Sequence, residues 1–251
     1  MKKIQRVVIE EKRWIAKDTI EMVLLNQFIA RNAIPGQFLH IAIPGNTLRR
    51  PISIADTNGS QGTVTILFKV IGKGTSRLSE FTVGTYLDVI GPQGNGFDLQ
   101  VGENSTILLA GGGIGVPPIH FLAKNLADKN CRMVAVLGFQ SRDYVFYEEK
   151  FQSICQTQIV TNDGSQGVGG YITDHLPPKQ KINTFYGCGP VQMLKVLTVR
   201  LDGIKGYLSV EERMGCGVGA CLACMIPANN GKGYKKICRD GPVFSTGEVS
   251  L

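Results

Sequence analysis

The sequence predicts an α/β plus all-β protein in three parts, because its pattern changes twice along 251 residues. Up to about residue 101, short apolar runs alternate with Gly, Pro and Asn, which is typical of a β-barrel or sandwich. Strands then alternate with helices over 102–206, which indicates a doubly wound parallel sheet. The last part is a short tail rich in Gly and Cys. We therefore expect three closely packed domains, 1–101, 102–206 and 207–251.

The elements follow from these patterns in chain order. The first part has apolar runs that predict strands at 4–9, 19–25, 37–43, 63–70 and 86–91. A short helix is expected near 77–81, with Thr75 or Ser76 as its N-cap. In the second part, strands are predicted at 107–110, 132–138, 157–161 and 183–186, and helices at about 117–129, 147–154 and 190–201. Prolines at 117 and 190 suit the first turn of a helix.

Composition and charge exclude several classes of protein. The chain is 43% hydrophobic and 19% charged with a net charge of +7, and its basic residues form only short pairs, so nucleic acid is not an expected partner. The N-terminus lacks the apolar stretch of a signal peptide, and glycines and prolines interrupt the most apolar region, 106–123, so no membrane span is predicted. Seven cysteines without a secretory signal favour a reducing compartment, and we expect a cytoplasmic protein.

Four cysteines carry the most specific signal in the chain. The spacing C-x4-C-x2-C-x13-C is formed by Cys216, Cys221, Cys224 and Cys238. Three close cysteines followed by a distant one are the plant-type [2Fe–2S] pattern. Glycines at 215, 217 and 219 would let the loop turn amide N–H groups toward the sulfurs. A zinc site is the alternative, although zinc ribbons usually have two close C-x2-C pairs.

Two glycine turns indicate a dinucleotide site. The first follows a predicted strand and contains Gly111, Gly112, Gly113 and Gly115. It reads G-x-G-x-x-P, with Pro118 where the usual motif has a third glycine, and the helix after it offers free N–H groups to a pyrophosphate. The second turn, which contains Gly189 and Pro190, would face the same crevice if the sheet is doubly wound. A simple tight turn is the alternative for the second one.

A phosphate-binding motif is predicted in the first part. Arg50 and Ser53 lie in Arg-Pro-Ile-Ser, where a guanidinium can hold a phosphate by a forked contact. About twenty residues later, a strand leads into a glycine turn with Gly74 and Thr75. Taken singly, each segment is better interpreted as a solvated basic turn.

In this order the three regions resemble the ferredoxin-reductase superfamily, in which an R-x-x-S motif and a G-T/S turn on a Greek-key β-barrel bind a flavin. In that superfamily a G-x-G-x-x-P domain binds NAD(P). The tail has Glu-Glu-Arg-Met-Gly-Cys-Gly before its cysteines and Cys-Arg-Asp-Gly-Pro-Val-Phe near its end. It is similar to one branch, the electron-transfer subunits of the class 1B dihydroorotate dehydrogenases. The resemblance covers essentially the whole chain.

The resemblance implies a set of binding residues. The FAD contacts would be Arg50, Pro51, Ile52, Ser53, Leu67, Phe68, Lys69, Gly74 and Thr75. Many flavin reductases have Tyr at the position of Ile52, so the flavin would rest here on an aliphatic side chain. The four cysteines of the tail would be the cluster ligands, and Cys188 would lie near the nicotinamide in a positioning role.

The resemblance also implies an activity and a partner. Electrons would pass from the FMN of a dihydroorotate dehydrogenase catalytic subunit through [2Fe–2S] and FAD to NAD+, in a heterotetramer of two copies of each subunit. The alternative is a related subunit of a hydrogenase, a sulfite reductase or a ferredoxin:NADP oxidoreductase. A non-catalytic zinc-stabilised binding module is a third possibility, of a different class.

No catalytic residue is expected in this chain, because the redox groups carry the chemistry. His40, His120 and His175 are interpreted as packing or surface residues, and Cys131 and Cys155 as buried core thiols. The choice between NAD and NADP stays open on the residues alone. Arg142 after the second strand of the nucleotide domain could pair with a 2′-phosphate, and Asp143 beside it could accept from a 2′-hydroxyl. The family favours NAD.

Overall fold

Six antiparallel strands close the N-terminal barrel in the order β1-β2-β5-β4-β3-β6. The computed structural model describes residues 4–229, 231 and 233–251. The barrel strands are β1 (Ile4–Ala16), β2 (Thr19–Leu25), β3 (Phe38–Ile41), β4 (Arg50–Asn58), β5 (Thr63–Lys69) and β6 (Tyr86–Gln93). Alternate residues of each strand fill the barrel, and Leu39, Ile41 and Ile54 belong to this core. The predicted barrel is confirmed, and a sandwich is excluded.

Three details of the barrel differ from the prediction. Helix α1 (Gln27–Asn32) was not predicted; it is only six residues long, and the Asn26 side chain caps it by accepting from Ile29 N at 2.9 Å. Strand β4 was missed because polar residues interrupt its apolar pattern. Helix α2 (Lys73–Ser79) begins earlier than predicted, with Gly72 as its N-cap. Thr75 lies in its first turn, and its hydroxyl accepts from the backbone N–H groups of residues 71 and 72 at 3.1 and 3.2 Å.

A seven-stranded sheet forms the second part, in the order β10-β9-β8-β7-β11-β12-β15. Its parallel strands are β7 (Ser105–Gly112), β8 (Cys131–Phe139), β9 (Gln156–Thr161), β10 (Val168–Gly169), β11 (Thr184–Cys188) and β12 (Lys205–Ser209). Helices α3 (Val116–Leu126), α4 (Glu148–Gln152) and α5 (Val191–Arg200) connect them. The chain runs outward from β7 in one direction and then returns to β11 on its other side. The carboxyl ends of β7 and β11 therefore meet at a topological switch point.

The tail is joined to the other two parts by backbone pairing. It contains a hairpin of β13 (Met225–Pro227) and β14 (Tyr234–Lys236), then α6 (Ile237–Asp240) and β15 (Val243–Ser245). Strand β15 pairs antiparallel with β12. Strand β12 was not predicted, and it crosses the expected boundary between the second and third domains at residue 206. On the barrel side, Asn95 N donates to Gly241 O at 2.6 Å. The domain limits given above remain predictions.

Both faces of the sheet are covered by apolar side chains. One face packs against α3 and α4, and the other packs against α5 and the tail. Cys131 and Cys155 lie at its margins and are only half-buried, so their interpretation as buried core thiols is wrong. Among the residues that the structure describes, no helix has the length and apolarity to cross a membrane.

Candidate functional site

The two predicted flavin segments of the barrel are brought together. Strand β4 carries Arg50, and α2 carries Gly74 in its first turn. The Arg50 guanidinium lies directly against Gly74, because a methyl group there would be 2.7 Å from Arg50 Cζ and 2.8 Å from Nη2. Nη1 donates to the carbonyl of Leu48 at 2.7 Å, which fixes the side chain. A guanidinium held beside a glycine turn is an arrangement that suits the phosphates of a dinucleotide.

The other predicted flavin residues have buried or half-buried side chains. Leu67 and Phe68 are 3% and 1% exposed; Leu67 packs in the core cluster that contains α3, and Phe68 packs in the barrel core. Ile52 is 9% exposed and belongs to the barrel core. Lys69 is half-buried, its ammonium lies 4.8 Å from the centre of the Tyr144 ring, and desolvation lowers the pKa of its side chain. Their contacts with FAD remain predictions.

A cavity of about 280 Å³ opens between the flavin motif and the start of the tail. Pro51 and Ser53 line it from the barrel, and Glu211 and Met214 line it from the tail. The Ser53 side chain hydrogen-bonds the Glu211 carboxylate, which partly offsets the effect of desolvation, and the pKa of Glu211 is raised overall. Glu211 keeps contact with solvent through the cleft. A protonatable carboxyl beside Ser53 was not predicted, since nothing in the tail sequence indicates that it meets the barrel.

The two glycine turns share one crevice, as predicted. Cys188 at the end of β11 is in register with Gly111 at the end of β7. The turns also touch beyond the strands, because a methyl on Gly115 would overlap the carbonyl of Cys188 and lie 2.6 Å from Gly189 N. A methyl on Gly112 would lie 2.9 Å from Pro190 Cδ. Gly113 has φ of +53° with open space above it, so it leaves the backbone accessible to a ligand.

Cys188 is fully buried beneath this crevice. Desolvation raises the pKa of its thiol, and the negative charge of Glu211 raises it further. The thiol is therefore protonated at neutral pH and is suited to packing rather than to nucleophilic chemistry. Cys188 is also in register with Ser209 of β12, which lines the flavin-side cavity, so the crevice and this cavity are neighbours.

A larger cavity, of about 540 Å³, continues from the glycine turns. Its lining includes Gly112, Gly113, Pro190 and Lys69, together with three residues that were not predicted, Gln140, Tyr144 and Asn162. Neither Arg142 nor Asp143 lines it. The Arg142 guanidinium instead donates to Ser165 O at 2.9 and 3.2 Å. The cavity is thus lined by the neutral amides Gln140 and Asn162, and neither the cation nor the anion considered from the sequence reaches it.

The cysteine loop presents its sulfurs to backbone donors. Cys221 N and Val218 N donate to Cys216 Sγ at 3.3 and 3.5 Å, and Cys216 N donates to Cys221 Sγ at 3.4 Å. Desolvation would raise the pKa of Cys216, but these amide donors outweigh it and lower that pKa to about 6. The loop thus favours a thiolate, the form that binds iron.

The other two cysteines form a second pair. Cys224 and Cys238 are 1% and 0% exposed, and desolvation together with the neighbouring Cys224 raises the pKa of Cys238 to about 12. In the described part of the chain, no three His, Cys, Asp or Glu side chains form a group that could hold a single metal ion. Two pairs of thiols are the donor set of a diiron cluster, in which each iron takes two thiolates and two bridging sulfides. The residues present therefore fit a [2Fe–2S] cluster.

None of the three histidines is among the residues that line the two cavities described above. His40 and His120 are 0% and 4% exposed, and burial is the largest cause that lowers the pKa of each to about 4. His175 is half-buried, and its Nε2 lies 2.9 Å from Gly169 O. These placements agree with the predicted packing and surface roles.

Fold and site together define an FAD- and iron–sulfur-dependent oxidoreductase of the ferredoxin-reductase type. Residues 6–97 match the family described as the oxidoreductase FAD-binding domain. Residues 211–250 match the iron–sulfur cluster binding domain of dihydroorotate dehydrogenase B. The zinc alternative for the four cysteines is therefore set aside.

Relatives over the full length identify the family. The chain is 44% identical to a dihydroorotate dehydrogenase B (NAD+) electron transfer subunit of Shouchella clausii, over 100% of this chain and 99% of the relative. It is 43% identical to the subunit of the same name from Geobacillus kaustophilus, over 98% of both chains. A solved structure of an NADH-dependent reduced ferredoxin-NADP oxidoreductase has a TM-score of 0.87 at 31% identity, covering 97% of this chain and 89% of that one. The chain belongs to the dihydroorotate dehydrogenase B electron transfer subunits.

Proposed function

We propose that this chain is the electron-transfer subunit of a dihydroorotate dehydrogenase B, which links an FMN-containing catalytic subunit to NAD+ in pyrimidine biosynthesis. The observation that carries the proposal is the convergence of three sites on one chain. The flavin-side cavity is lined by Ser53 of the barrel and Glu211 of the tail. Glu211 also acts on Cys188 of the nucleotide crevice, and the cysteine loop packs against the same barrel.

The bound groups would supply the electron chemistry: FAD exchanges one or two electrons, the cluster one, and NAD a hydride. This chain's own residues hold and order them. Arg50 and the turn at Gly74 would hold a dinucleotide phosphate, and Ser53 would hold the Glu211 carboxyl in place at the flavin-side cavity. The glycine turns at the ends of β7 and β11 present bare backbone to the second dinucleotide.

The proposed partner is the FMN-containing dihydroorotate dehydrogenase catalytic subunit, in a cytoplasmic heterotetramer of two copies of each chain. The surface beside the cysteines supports a docking role. Val218 and Leu222 flank Cys221 and are 40% and 63% exposed. Apolar side chains exposed next to a redox centre are expected to be covered where electrons enter from another protein.

The test is to co-purify this chain with its FMN-containing catalytic subunit and to measure NADH formation from dihydroorotate and NAD+. We expect activity in the complex and none in this chain alone, with a complex mass of two plus two subunits. Cys221→Ser should abolish NADH formation, whereas Cys131→Ser, which changes a half-buried cysteine outside the tail, should retain it. Full activity of Cys221→Ser, or a flavin-loaded complex that ignores dihydroorotate, would reject the proposal.

A second candidate is an NAD(P)H-linked ferredoxin oxidoreductase subunit, which the 31% identity to such a structure favours. The two functions differ in nucleotide and partner. Gln140 and Asn162 line the nucleotide cavity and Arg142 is tied to Ser165, so NADH should be preferred over NADPH. A tenfold preference for NADPH, with reduction of ferredoxin, would favour the second candidate.

A further inference from the structure

His40 is a buried residue of β3 whose imidazole makes no hydrogen bond to the described strands of the barrel. It is 0% exposed, and neither ring nitrogen has a hydrogen-bond partner among the described residues. The carbonyl of Arg49 lies near the ring but not in hydrogen-bonding geometry. Burial and the charges of Arg49 and Arg50 lower the pKa of His40 to about 4. At neutral pH the ring is therefore uncharged and carries one N–H donor and one lone pair.

The place of His40 links two sites. Leu39 and Ile41 of β3 point into the barrel core, so His40 between them points outward. There it lies under the cysteine loop, since a methyl on Gly217 would be 2.7 Å from His40 Cε1. On its other side, His40 is in register with Pro51, which lines the flavin-side cavity. The imidazole thus stands between that cavity and the loop that carries Cys216.

Gln93 supplies a second, independent observation at the same interface. It is 1% exposed, and neither its amide oxygen nor its amide nitrogen has a partner in the described part of the chain. Strand β6 places it opposite Phe38, two residues from His40 on the same face of β3. Two residues further on, Asn95 Nδ2 donates to Asp240 O at 2.9 Å. The chain directly after Gln93 therefore contacts the end of the tail that carries Cys238.

Two unpartnered polar side chains on one face require an explanation. Buried amide and imidazole groups in folded proteins nearly always have hydrogen-bond partners, because leaving them without one is costly. His40 lies under the loop that carries Cys216, and Gln93 precedes the residues that contact the segment after Cys238. The sulfurs of a [2Fe–2S] cluster are hydrogen-bond acceptors. Donors aimed at these sulfurs stabilise the reduced, more negative cluster.

We propose that His40 and Gln93 form a hydrogen-bonding floor between the barrel and the iron–sulfur cluster, and that their N–H groups stabilise its reduced form. The two residues are positioning residues, since they act on the potential of the cluster and not on substrate. The inference rests on the proposed function only for the presence of the cluster.

The test measures the cluster itself in the full chain loaded with FAD and cluster. His40→Leu and Gln93→Leu keep apolar volume and remove the donors, whereas His40→Gln keeps an N–H group. We expect each Leu variant to lower the equilibrium constant for cluster reduction about tenfold, which is a shift of about 59 mV to more negative potential for a one-electron couple. His40→Gln should restore at least half of that shift. The readouts are the EPR-monitored midpoint potential and the g-values of the reduced cluster.

Matched controls lie in the nucleotide domain. His175→Leu and Gln152→Leu remove the same side-chain types outside the tail and away from the Gly217 contact, and should leave the midpoint potential unchanged. A change of less than threefold in both floor variants would overturn the proposal, and would assign the unpartnered atoms to buried water. Loss of the cluster from both Leu variants would also overturn it, because it would assign the two side chains to packing. Neither readout needs dihydroorotate or the partner subunit, so failure here is distinguishable from failure of the proposed function.

Discussion

Gly115→Ala tests the contact that joins the two glycine turns. Gly115 has φ of −79° and ψ of −10°, an ordinary helical conformation, so alanine brings no backbone strain. Its methyl group, however, would overlap the Cys188 carbonyl and lie 2.6 Å from Gly189 N, where Cβ atoms essentially never come closer than 3.0 Å. The two turns must therefore part by at least about 0.4 Å. Overpacking of this kind costs about 1–3 kcal/mol of unfolding free energy.

The same displacement should weaken nucleotide binding. The crevice residues Gly112 and Pro190 lie on the two turns that separate, and misplacement of a binding element by about 1 Å can cost on the order of 100-fold. We expect the Kd for NADH, measured by titration, to rise at least tenfold. Urea unfolding should show the loss of unfolding free energy. Gly102→Ala is the control, since its methyl group would lie 3.9 Å from Ser105 Cβ, an ordinary contact. The reasoning is refuted if Gly115→Ala matches that control in both stability and NADH affinity.

Three further predictions concern titration and domain contact. The pKa of His120 is about 4 in the folded chain against an ordinary 6.5, so the unfolded chain binds more protons in this window and stability falls as pH drops. Between pH 7 and pH 5 this protonation should lower the unfolding free energy by about 2 kcal/mol. In urea unfolding, His120→Phe should therefore lose about that much less stability over the same pH range. In the cluster-free chain at pH 7, iodoacetamide should label Cys216 well before Cys188, because the pKa of Cys216 is about 6 and burial raises the pKa of Cys188. Equal labelling rates would contradict a thiolate at Cys216. Tyr147→Phe removes a 2.5 Å hydrogen bond to the buried Glu21 carboxylate and should lower the unfolding free energy by about 1.5–3 kcal/mol. An unchanged urea midpoint would show that Arg13 and Lys150 satisfy the carboxylate without Tyr147.

The sequence predicts a strand correctly where burial of the strand produces a simple pattern of apolar residues. The runs that became β2, β5 and β7 alternate or are apolar throughout, and each ends in Gly, Asn or a charged turn. It fails at β4 for a physical reason. Arg50, Pro51 and Ser53 lie outside the buried apolar set of β4 and are the residues proposed to meet a ligand, so the proposed function would explain why the apolar pattern of this strand is interrupted.

The candidate site is predictable only where it is local in sequence. The four cysteines and the glycine turns are motifs with fixed spacing, so they stand out in a single chain. Glu211 was missed because its role depends on the tail folding back to Ser53, a contact 158 positions away in the chain. Arg142 was a reasonable candidate by its place after β8. The structure ties it to Ser165, however, and only the packing of the loop at 163–166 decides that.

The way the tail is attached determines how the three redox sites are held. Strand β15 extends the nucleotide sheet, Asn95 of the barrel bonds the residues after Cys238, and Gly217 of the cysteine loop rests on His40. The cysteine loop is therefore fixed by the barrel and the sheet together, and not by a flexible tether. Because the chemistry belongs to the bound groups, the work of the protein is to set their separation and surroundings. A tail anchored to both neighbours sets that separation by folding.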